Sequence, residues 1–557
     1  MKRREFLKTS AIASAGAMAL CNRCTQKTNR PLNFVLLYSD ELNPDYFQCY
    51  NENSPYPTPN LTELANAGTR FTNAYVAAPM CTPSRFAVLS GNYPGSCDHP
   101  KFLEENPTDE MYNIGWDTYL HKNMATLPGI LSANGYVTGM SGKWHIGSEK
   151  SEDTQFPEFA PDADLNDAVV NKKLQERQQM VKKMIAGDAG FDEVRSATWG
   201  NFDGLPIKAL HVHNFPWINK GTMEFLDARS QDGKPFFLYA ATTAIHGPAH
   251  QDVLDVDYSY TPEGKVAGLD RFDLDREKLR NAIKDLHGQH QHKQAGLAYL
   301  DHHVGLVKKK LKDLGLLGNT VIMFMADHNV EPGKATCYER GNKVPFIVSW
   351  PGLPKGQVCS ELVQNVDIAS TIIKTIGLKK IKEQGFVGED FRPLVKGEKK
   401  AIRKDIFMEC GFARGVRSGQ YKYIAFRLPD ELIQQMESGE MNYAPNYFNR
   451  FKQAHSQIAI EYFPHYFDQD QLYDLESDPY EINNLAYNPA YQETLAMMKK
   501  IMQKYLDSFD HPYDLKRISF MESDKYKELV KKTQAIGTDY IQWLPRDHGN
   551  IIYPPKN

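Results

Sequence analysis

The stretch NFVLLYSDE, residues 33–41, decides the fold class of this 557-residue chain. Asn33–Tyr38 is an almost uninterrupted apolar run of strand length, and it leads directly into Asp40 and Glu41. Continuous apolar runs are typical of strands covered on both faces, as in a parallel sheet with helices on either side. Ligands of such sheets bind at the carboxyl ends of the strands. The stretch therefore predicts an α/β protein with acidic side chains at the ligand-binding edge.

Three further continuous apolar runs of strand length occur in the sequence. They are Pro235–Ala241, Thr320–Met325 and Val344–Trp350, and helix-like segments alternate with them. These segments are Leu61–Ala67, Thr126–Asn134, Asp164–Ala186, Lys278–Leu314 and Val366–Ile376. Strands that alternate with helices predict a large, mostly parallel sheet sandwiched by helices over residues 31–400.

The pattern changes after Gly397. Short runs separated by polar loops replace the long apolar ones, and a helix-like segment follows near Pro489–Phe509. The short runs are Asp405–Glu409, Tyr421–Phe426 and Gln471–Leu475. This arrangement predicts a smaller α+β domain with an antiparallel sheet over residues 401–510, followed by an extension over residues 511–557.

The first 30 residues predict an export signal and a short linker. Lys2, Arg3 and Arg4 form a charged head, and the small-residue run Thr9–Leu20 is too short to span a bilayer. The order RREFLK resembles a twin-arginine signal, so we expect an exported, periplasmic protein without a transmembrane helix in the mature chain. Cys21 and Cys24 fit a lipid attachment signal poorly, because Leu20 and Arg23 precede them.

Composition excludes several classes of protein. Hydrophobic residues make up 41% and charged residues 24% of the chain, as in soluble globular proteins, and the net charge of -4 gives no reason to expect nucleic acid as a partner. The remaining cysteines form no C-x-x-C pair, so neither a zinc knuckle nor a disulfide scaffold is indicated. They lie at positions 49, 81, 97, 337, 359 and 410.

Acidic and imidazole groups follow two of the predicted strands. Asp40 and Glu41 follow the first run, and Asp327 and His328 follow Thr320–Met325. One parallel sheet would bring all four to the same edge, where carboxylate oxygens suit a hard divalent cation such as Ca²⁺ or Mg²⁺. The alternative is that these are ordinary loop residues at strand ends.

Several sequence segments contribute basic and imidazole groups that could join these acidic residues. Lys143 and His145 belong to GKWHIG, Lys334 follows the second acidic pair, and Arg85 lies one helical turn after Cys81. Together with His246 they would form a socket for a tetrahedral anion, a task for which lysine and arginine are well suited. Each residue by itself could equally be a solvated surface charge.

An ordered series of segments identifies the chain as resembling the formylglycine-dependent (type I) sulfatases of the alkaline phosphatase-like superfamily. The resemblance extends from about Asn33 to Leu485. The matching segments are DE at 40–41, CTPSR at 81–85 with LSG at 89–91, GKWHIG at 142–147, PFFLYAA with His246, DH at 327–328 with GKATCYERG at 333–341, VPFIVSWPG at 344–352, and QLYDLESDPYEINNLA at 471–486.

The resemblance implies a role for each site residue. Cys81 would be oxidised to formylglycine (3-oxoalanine) by a formylglycine-generating or other sulfatase-maturing enzyme, and its hydrated aldehyde would attack sulfur. The implied ligands of Ca²⁺, or of Mg²⁺ or another divalent cation, are Asp40, Glu41, Asp327 and His328. Arg85 and Lys143 would orient the nucleophile, with His145 as a base. Lys334 and His246 would contact the ester and protonate the leaving alcohol.

The sequence departs from the family pattern at several positions. Glu41 stands where a second aspartate is usual, His328 where asparagine is frequent, Asn329 where glycine is frequent, and Arg340 where the first glycine of EGG is usual. The DH pair also resembles phosphonate monoester and phosphodiester hydrolases of the same superfamily. A non-catalytic protein that binds sulfated glycans is the third alternative.

Two segments are candidates for substrate specificity. Asp98–Asn123 has the character of an insertion, and HVHNFPW contains His211, His213 and Trp217, whose rings could stack on a sugar. The alternative for both segments is loop and core. Export and the resemblance together imply a sulfated saccharide as the substrate.

Overall fold

The computed structural model describes residues 30–147, 155–247, 253–284, 289–330, 333–378, 385–398, 401–430, 434, 463–466 and 468–516. The predicted export signal, including Cys21 and Cys24, lies outside these residues except for Arg30. The predicted C-terminal extension is described only as far as residue 516. None of the helices in the described ranges is long and apolar enough to cross a membrane.

An eight-stranded sheet forms the centre of the molecule, in the order β11-β2-β10-β9-β1-β6-β4-β5. Its strands in chain order are β1 (Asn33–Ser39), β2 (Thr69–Phe71), β4 (Val137–Lys143), β5 (Glu193–Thr198), β6 (Phe236–Ala241), β9 (Thr320–Ala326), β10 (Phe346–Ser349) and β11 (Gln357–Cys359). Every residue of β1, β6 and β9 is buried, as their continuous apolar sequences predict. Two small two-stranded sheets pair β3 (Ala74–Tyr75) with β12 (Val363–Gln364), and β7 (Tyr260–Thr261) with β8 (Gly264–Lys265).

Strand direction differs from the prediction at one of the four runs. The central strands β1, β4, β5, β6 and β9 are parallel to one another, whereas β10, predicted within Val344–Trp350, runs antiparallel to β9 and β2. Only about 20 residues separate β9 from β10, and a single four-residue helix lies between them. Parallel neighbours are usually joined by a crossover that contains a full helix, and the described part of this connection contains only one helical turn, so the chain returns in the opposite direction.

Helices flank this sheet, and their ends follow local sequence signals. The α-helices are α1 (Pro59–Asn66), α2 (Cys81–Ser90), α3 (Pro100–Glu105), α4 (Leu127–Ala133), α5 (Ala168–Ala189), α6 (Phe215–Asp232), α7 (Arg276–Ile283), α8 (Gln289–Asp313), α9 (Glu339–Asn342), α10 (Val366–Thr375), α11 (Arg392–Val395) and α12 (Gln492–Leu506). Asp167 and Asn214 act as N-caps, since their side chains accept hydrogen bonds from the first turns of α5 and α6. The predicted helix over Lys278–Leu314 corresponds to α7 and α8.

A four-stranded antiparallel sheet follows, in the order β13-β14-β15-β16. Its strands are β13 (Asp405–Cys410), β14 (Ala413–Ser418), β15 (Tyr421–Phe426) and β16 (Asp470–Asp474), and α12 packs against β14 and β15. One buried apolar cluster contains Ala87 and Val366 from helices of the large sheet together with Phe407 and Val416 of the second sheet. The two sheets therefore share a core beside helix α2.

The strands β4 and β5 were not predicted, because their sequences VTGMSGK and EVRSAT are rich in polar residues and glycine. Gly142 explains part of this composition. It has a φ of 92°, and a Cβ there would lie 1.7 Å from the carbonyl oxygen of Ala241 on the adjacent strand. Only glycine fits at this point, where the register of β4 and β5 shifts just before Lys143.

Candidate active site

Four neighbouring strands of the large sheet, β9, β1, β6 and β4, deliver the predicted site residues at their carboxyl ends. The parallel directions of these strands place the ends at one edge, as the sequence predicted. The delivered residues are Asp327 and His328 after β9, Asp40 and Glu41 after β1, His246 beyond β6, and Lys143 and His145 at the end of β4. Helix α2 adds Cys81 and Arg85.

A buried cluster of possible metal ligands forms where these ends meet. Asp40, Cys81, Asp327 and His328 each offer one ligand atom, and these atoms all lie within 4.8 Å of one another. The Nε2 atom of His328 lies 3.4 Å from Asp40 Oδ1 and 3.5 Å from Asp327 Oδ1. Its Nδ1 atom lies 2.7 Å from the carbonyl oxygen of Asn329, which fixes the ring with Nε2 towards the cluster.

Two buried cations balance the carboxylates of this cluster. Lys143 Nζ forms an ion pair with Asp40, and Arg85 Nη2 lies 2.7 Å from Asp327 Oδ2. Burial would by itself raise the pKa of Asp40, but the charge of Lys143 and the hydrogen bond from His328 lower that pKa well below its usual range. Asp40 is therefore ionised, and its carboxylate can serve as an oxygen ligand or as an acceptor.

The imidazole of His328 is affected in the opposite direction. Burial would lower its pKa, but the neighbouring Asp327 carboxylate and the Cys81 thiol raise it well above the usual range. The ring thus supplies positive charge between two buried carboxylates. A divalent cation at the same point would provide the same compensation, and two carboxylates plus an imidazole with an oriented second nitrogen are a donor set that fits one.

Cys81 is the first residue of α2 and is completely buried. The preceding residue, Met80, makes no side-chain cap, so the N–H groups of the first helical turn are not capped by the residue at the usual capping position. These groups and the helix dipole favour negative charge at this position. Arg85 lies one turn later and donates from Nη1 to the Lys143 carbonyl oxygen at 3.1 Å and to the Tyr239 hydroxyl at 3.2 Å.

Glu41 lies beside the cluster, and its carboxylate is paired elsewhere. Its backbone N–H donates to Asp327 Oδ1 at 3.1 Å, and it adopts a left-handed φ of 56°. Its Oε2 atom lies 3.1 Å from Lys334 Nζ and 3.7 Å from His246 Nε2. Burial would raise the pKa of Glu41, but Lys334 and His246 lower it to about 2. Of the four predicted metal ligands, the structure brings three to the central cluster and places Glu41 at its margin.

Lys334 and His246 form a second pair next to Glu41. Lys334 Nζ donates to His246 Nε2 at 2.9 Å, and the other ring nitrogen of His246 donates to the carbonyl oxygen of Gly247 at 2.7 Å. Burial and the charge of Lys334 lower the pKa of His246. The ring is therefore neutral, and Lys334 carries the proton of the pair.

His145 lies on the other side of the site. It has a left-handed φ of 53°, and its Nδ1 atom is buried without a hydrogen-bond partner among the residues that the structure describes. Burial and the nearby Lys143 hold the pKa of His145 well below its usual value, so the ring is neutral. A neutral imidazole beside buried cations can accept a proton, which is the property that a base requires.

The residues of HVHNFPW lie beneath the site. Trp217 is completely buried in α6, and its Nε1 atom donates to Glu263 at 2.7 Å. His213 is also fully buried, and its ring nitrogens lie 2.6 Å from Thr243 Oγ1 and 2.8 Å from the carbonyl oxygen of His246. The structure therefore favours the core alternative for this segment, in which it supports the His246 loop.

Three residues of the site escaped the sequence analysis. Tyr239 lies within a strand that was assigned only a packing role, although its hydroxyl contacts Arg85. Asn201 follows the unpredicted strand β5, and its amide lies 3.2 Å from His246 Nδ1. Trp116 lies in the predicted insertion, and its ring centroid is 5.3 Å from that of His145. The sequence signal for Asn201 was its position after a strand, which recognition of β5 would have revealed.

A family model described as Sulfatase matches residues 32–378, more than half of the chain. The chain belongs to the sulfatase family. A second model, described as the C-terminal part of N-sulphoglucosamine sulphohydrolase, matches residues 333–457. The site lies within the first of these matches, and the enzyme is a sulfuric ester hydrolase with an alkaline phosphatase-like fold.

Relatives of this sulfatase include enzymes with different named substrates. It is 29% identical to human arylsulfatase A over 436 residues, covering 71% of this chain and 74% of the relative. It is 24% identical to an ulvan-active sulfatase of Formosa agariphila over 479 residues, covering 81% and 70% of the two chains.

The fold has matching solved structures. One is a Bacteroides thetaiotaomicron structure described in the context of the metabolism of multiple glycosaminoglycans. It aligns with a TM-score of 0.56 at 20% identity, covering 86% of this sulfatase and 99% of the solved chain. This similarity supports the fold, whereas the family follows from the sequence match.

Proposed function

We propose that this sulfatase hydrolyses a sulfate ester on a carbohydrate with formylglycine at position 81 as the nucleophile and a bound divalent cation. The observation that carries the proposal is the position of Cys81, at the start of α2 and within 4.8 Å of the ligand atoms of Asp40, Asp327 and His328. A thiol is a poor nucleophile for this reaction, because the sulfated thiol has no easy exit. When oxidised to formylglycine by a maturing enzyme, residue 81 supplies a hydrated aldehyde with two hydroxyls, one to attack and one to expel sulfate.

The cation would be held by Asp40, Asp327 and His328, with Glu41 as the fourth ligand. Glu41 follows Asp40 directly, and its carboxylate would have to exchange the ion pair with Lys334 for the cation. Ca²⁺ is the first candidate because the donors are mainly oxygen, and the imidazole keeps Mg²⁺ or another divalent cation open. A cation in this position would polarise the sulfate oxygens and stabilise charge on the nucleophile.

The basic residues divide into two groups around residue 81. Arg85 and Lys143 are fully buried and form ion pairs with the carboxylates next to residue 81. They would bind and orient the hydrated aldehyde. His145, held neutral by burial and by Lys143, would act as the base that removes a proton from the nucleophile's second hydroxyl.

The leaving alcohol would be protonated from the opposite side. Lys334 carries the proton of the Lys334–His246 pair and would give it to the alcohol oxygen, while the neutral ring of His246 accepts a hydrogen bond from the same ammonium group and holds it in place. The net reaction consumes one water and releases the alcohol of the sugar and inorganic sulfate. A positioned ammonium group such as that of Lys334 stabilises the negative charge that develops on the leaving oxygen in the transition state.

A saccharide substrate is supported by the relatives and by the predicted export signal. The named substrates of relatives include ulvan, and we propose that this sulfatase likewise acts on a sulfated polysaccharide or on oligosaccharides derived from one. We further propose a periplasmic location, which rests on the twin-arginine-like sequence of the first 30 residues.

The test is a comparison of turnover on matched esters. The purified, matured enzyme is assayed on an aryl sulfate, an aryl phosphodiester and an aryl phosphonate monoester, and then on sulfated saccharides. We expect hydrolysis of the sulfates with a far higher kcat/KM than that of the phosphorus esters. A preference for the phosphorus esters would favour the alternative function, and binding of sulfated glycans without any turnover by chemically verified formylglycine enzyme would favour a non-catalytic role.

A further inference from the structure

We propose that the cavity beside His145 binds the sugar ring that carries the sulfate ester, and that Trp116 stacks on that ring. This inference rests on the proposed function, because it assigns the part of the substrate beyond the sulfate group. Trp116 comes from the predicted insertion, Asp98–Asn123, and contacts the site from outside the large sheet.

Trp116 differs from the other tryptophans of the described residues in its exposure. Its side chain is 41% exposed, whereas Trp144, Trp199, Trp217 and Trp350 are all at most 8% exposed. Tryptophan side chains are usually mostly buried, because the indole has a large apolar surface. An exposed indole beside an active site is therefore a candidate for contact with a ligand, which would cover that surface. The Trp116 and His145 rings are tilted by 30° with centroids 5.3 Å apart, so the indole borders the site directly.

The loop that carries Trp116 is held in place on both sides. Ile114 is completely buried and exchanges two backbone hydrogen bonds, at 3.1 and 2.8 Å, with Gly411 in the turn between β13 and β14. After the tryptophan, Asp117 accepts hydrogen bonds from the Gly115 N–H at 3.2 Å and from the Asn106 amide at 3.2 Å. The exposed ring is therefore preorganised, which lowers the entropic cost of binding a ligand.

A cavity of about 410 Å³ is lined by His145, the residue whose ring the Trp116 indole contacts. Gly147, Gly200 and Asn201 also line this cavity. Asn201 also contacts His246, so one wall of the cavity is formed by a residue that touches the second imidazole of the site. Its volume falls within the range of small-ligand pockets, which is enough for one pyranose ring.

The polar groups of the cavity suit a sugar with several hydroxyl groups. Asp203 is exposed at its edge and offers carboxylate oxygens to sugar hydroxyls, and the Arg177 guanidinium, packed over the ring of Phe156, brings positive charge to its wall. A sugar ring has an apolar face of C–H groups and an edge of hydroxyls. A flat indole beside a polar cavity matches both, because the indole covers the apolar face while polar groups contact the edge.

The experiment compares three variants of Trp116 on the wild-type enzyme's best saccharide. The screen uses ulvan oligosaccharides, N-acetylgalactosamine 6-sulfate and glucosamine 6-sulfate. We expect W116A and W116L to raise KM for the selected saccharide about tenfold, the change expected from loss of one aromatic contact, and W116F to retain most of the affinity. W116L keeps apolar bulk against His145 and so guards against misfolding of W116A.

Inorganic sulfate separates ring binding from the anion socket. Its competitive inhibition constant should be the same in all variants, because sulfate occupies only the site around residue 81. Tyr487→Ala is the matched control, since Tyr487 is a 64% exposed aromatic in the region after β16. We expect this variant to have the wild-type KM.

The outcomes distinguish this inference from the proposed function. An unchanged KM in W116A and W116L would overturn the role of Trp116 while saccharide hydrolysis by the wild type upheld the proposed function. A fall in kcat with an unchanged KM, restored by W116F, would overturn ring binding in favour of a positioning role for His145. If verified formylglycine enzyme hydrolysed none of these saccharides, the carbohydrate substrate itself would be rejected, and this inference with it.

Discussion

The Nε2 atom of His328 lies 3.1 Å from the Sγ atom of Cys81, although 247 residues separate them in the chain. His328 follows strand β9 by two residues and Cys81 begins helix α2, so the fold brings the two together. Asp40 and Asp327 surround the same point, and Lys143 and Arg85 neutralise them. Buried carboxylates and buried basic side chains thus surround Cys81.

Replacement of Cys81 by alanine should abolish turnover and leave the fold intact. Cys81 is small and lies at a helix terminus, and its loss removes the precursor of the proposed nucleophile. We expect hydrolysis of an aryl sulfate to fall below detection and the melting temperature to stay within a few degrees of the wild type. Cys359→Ala is the control, because Cys359 is a half-buried thiol on the edge strand β11, and full activity is expected. Residual turnover by C81A at the wild-type rate would rule out covalent catalysis through residue 81.

Removal of divalent cations should lower both activity and thermal stability. A cation present at about 100 times its Kd stabilises the native state by about 2.7 kcal/mol, which corresponds to a rise of roughly 2 °C or more in Tm. We expect EDTA to reduce Tm and added Ca²⁺ to restore it, and Asp327→Asn to abolish this response. Differential scanning calorimetry with each cation measures the effect.

Asp301→Asn provides the control for this experiment. Asp301 is a buried aspartate far from the cluster that accepts hydrogen bonds from the N–H groups of Asn60 and Leu61 at the start of α1. Its replacement should lower Tm but leave the response to Ca²⁺ unchanged. An Asp327→Asn enzyme that responded to Ca²⁺ as the wild type does would refute the assignment of the ligands.

Replacement of Arg85 by lysine should reduce kcat strongly. The guanidinium donates from one nitrogen to Asp327 and from the other to the Lys143 carbonyl and Tyr239, and an ammonium group cannot reproduce this fork. Loss of one charge-stabilising donor typically lowers turnover by roughly 10² to 10³. Steady-state kinetics on an aryl sulfate test this. Arg70→Lys, at a partly exposed arginine on β2 outside the site, should change kcat little, and equal effects of the two variants would count against the proposed role.

Buried His303 should make the protein less stable at mildly acidic pH. Its side chain is 1% exposed in α8, and Nδ1 lies 3.1 Å from Asn219 Oδ1 while Nε2 has no partner within the described part of the chain. Burial lowers the pKa of His303 to about 4. The unfolded chain takes up a proton near pH 6.5, whereas the folded chain resists protonation until about pH 4. The free energy of unfolding should therefore fall as pH decreases through this window, by up to roughly 3 kcal/mol.

The His303→Gln variant isolates this contribution. Chemical denaturation at pH 7, 6, 5 and 4 should give a smaller loss of stability for the variant than for the wild type. His121→Gln, at a partly exposed position next to Asp98, should retain the wild-type dependence. Parallel pH profiles of the wild type and H303Q would exclude a contribution from His303.

Much of the fold could be predicted because β1, β6 and β9 are buried on both faces and therefore have continuous apolar sequences. The same logic failed for β4 and β5, where polar residues and Gly142 line a close approach between strands. It also gave no strand direction for β10, since an apolar run has the same composition in either orientation. Direction depends on whether a full helix forms between β9 and β10, and the structure has only a four-residue helix there.

The site shows a similar division. Strand-end positions correctly indicated that Asp40, Asp327 and His328 would meet, because parallel strands share one edge. The pairing of Glu41 with Lys334 depends on a left-handed backbone turn that no residue pattern announced. The contact of Trp116 with His145 depends on the long-range bridge between Ile114 and Gly411, and local sequence contains no information about such a bridge.

The most direct test of the account is mass spectrometry of the peptide that contains residue 81, from enzyme produced together with a sulfatase-maturing enzyme. We predict a peptide with an aldehyde in place of the thiol, in a fraction that rises in proportion to kcat across preparations with different degrees of maturation. Full sulfatase activity in a preparation whose residue 81 is entirely unmodified cysteine would contradict the account.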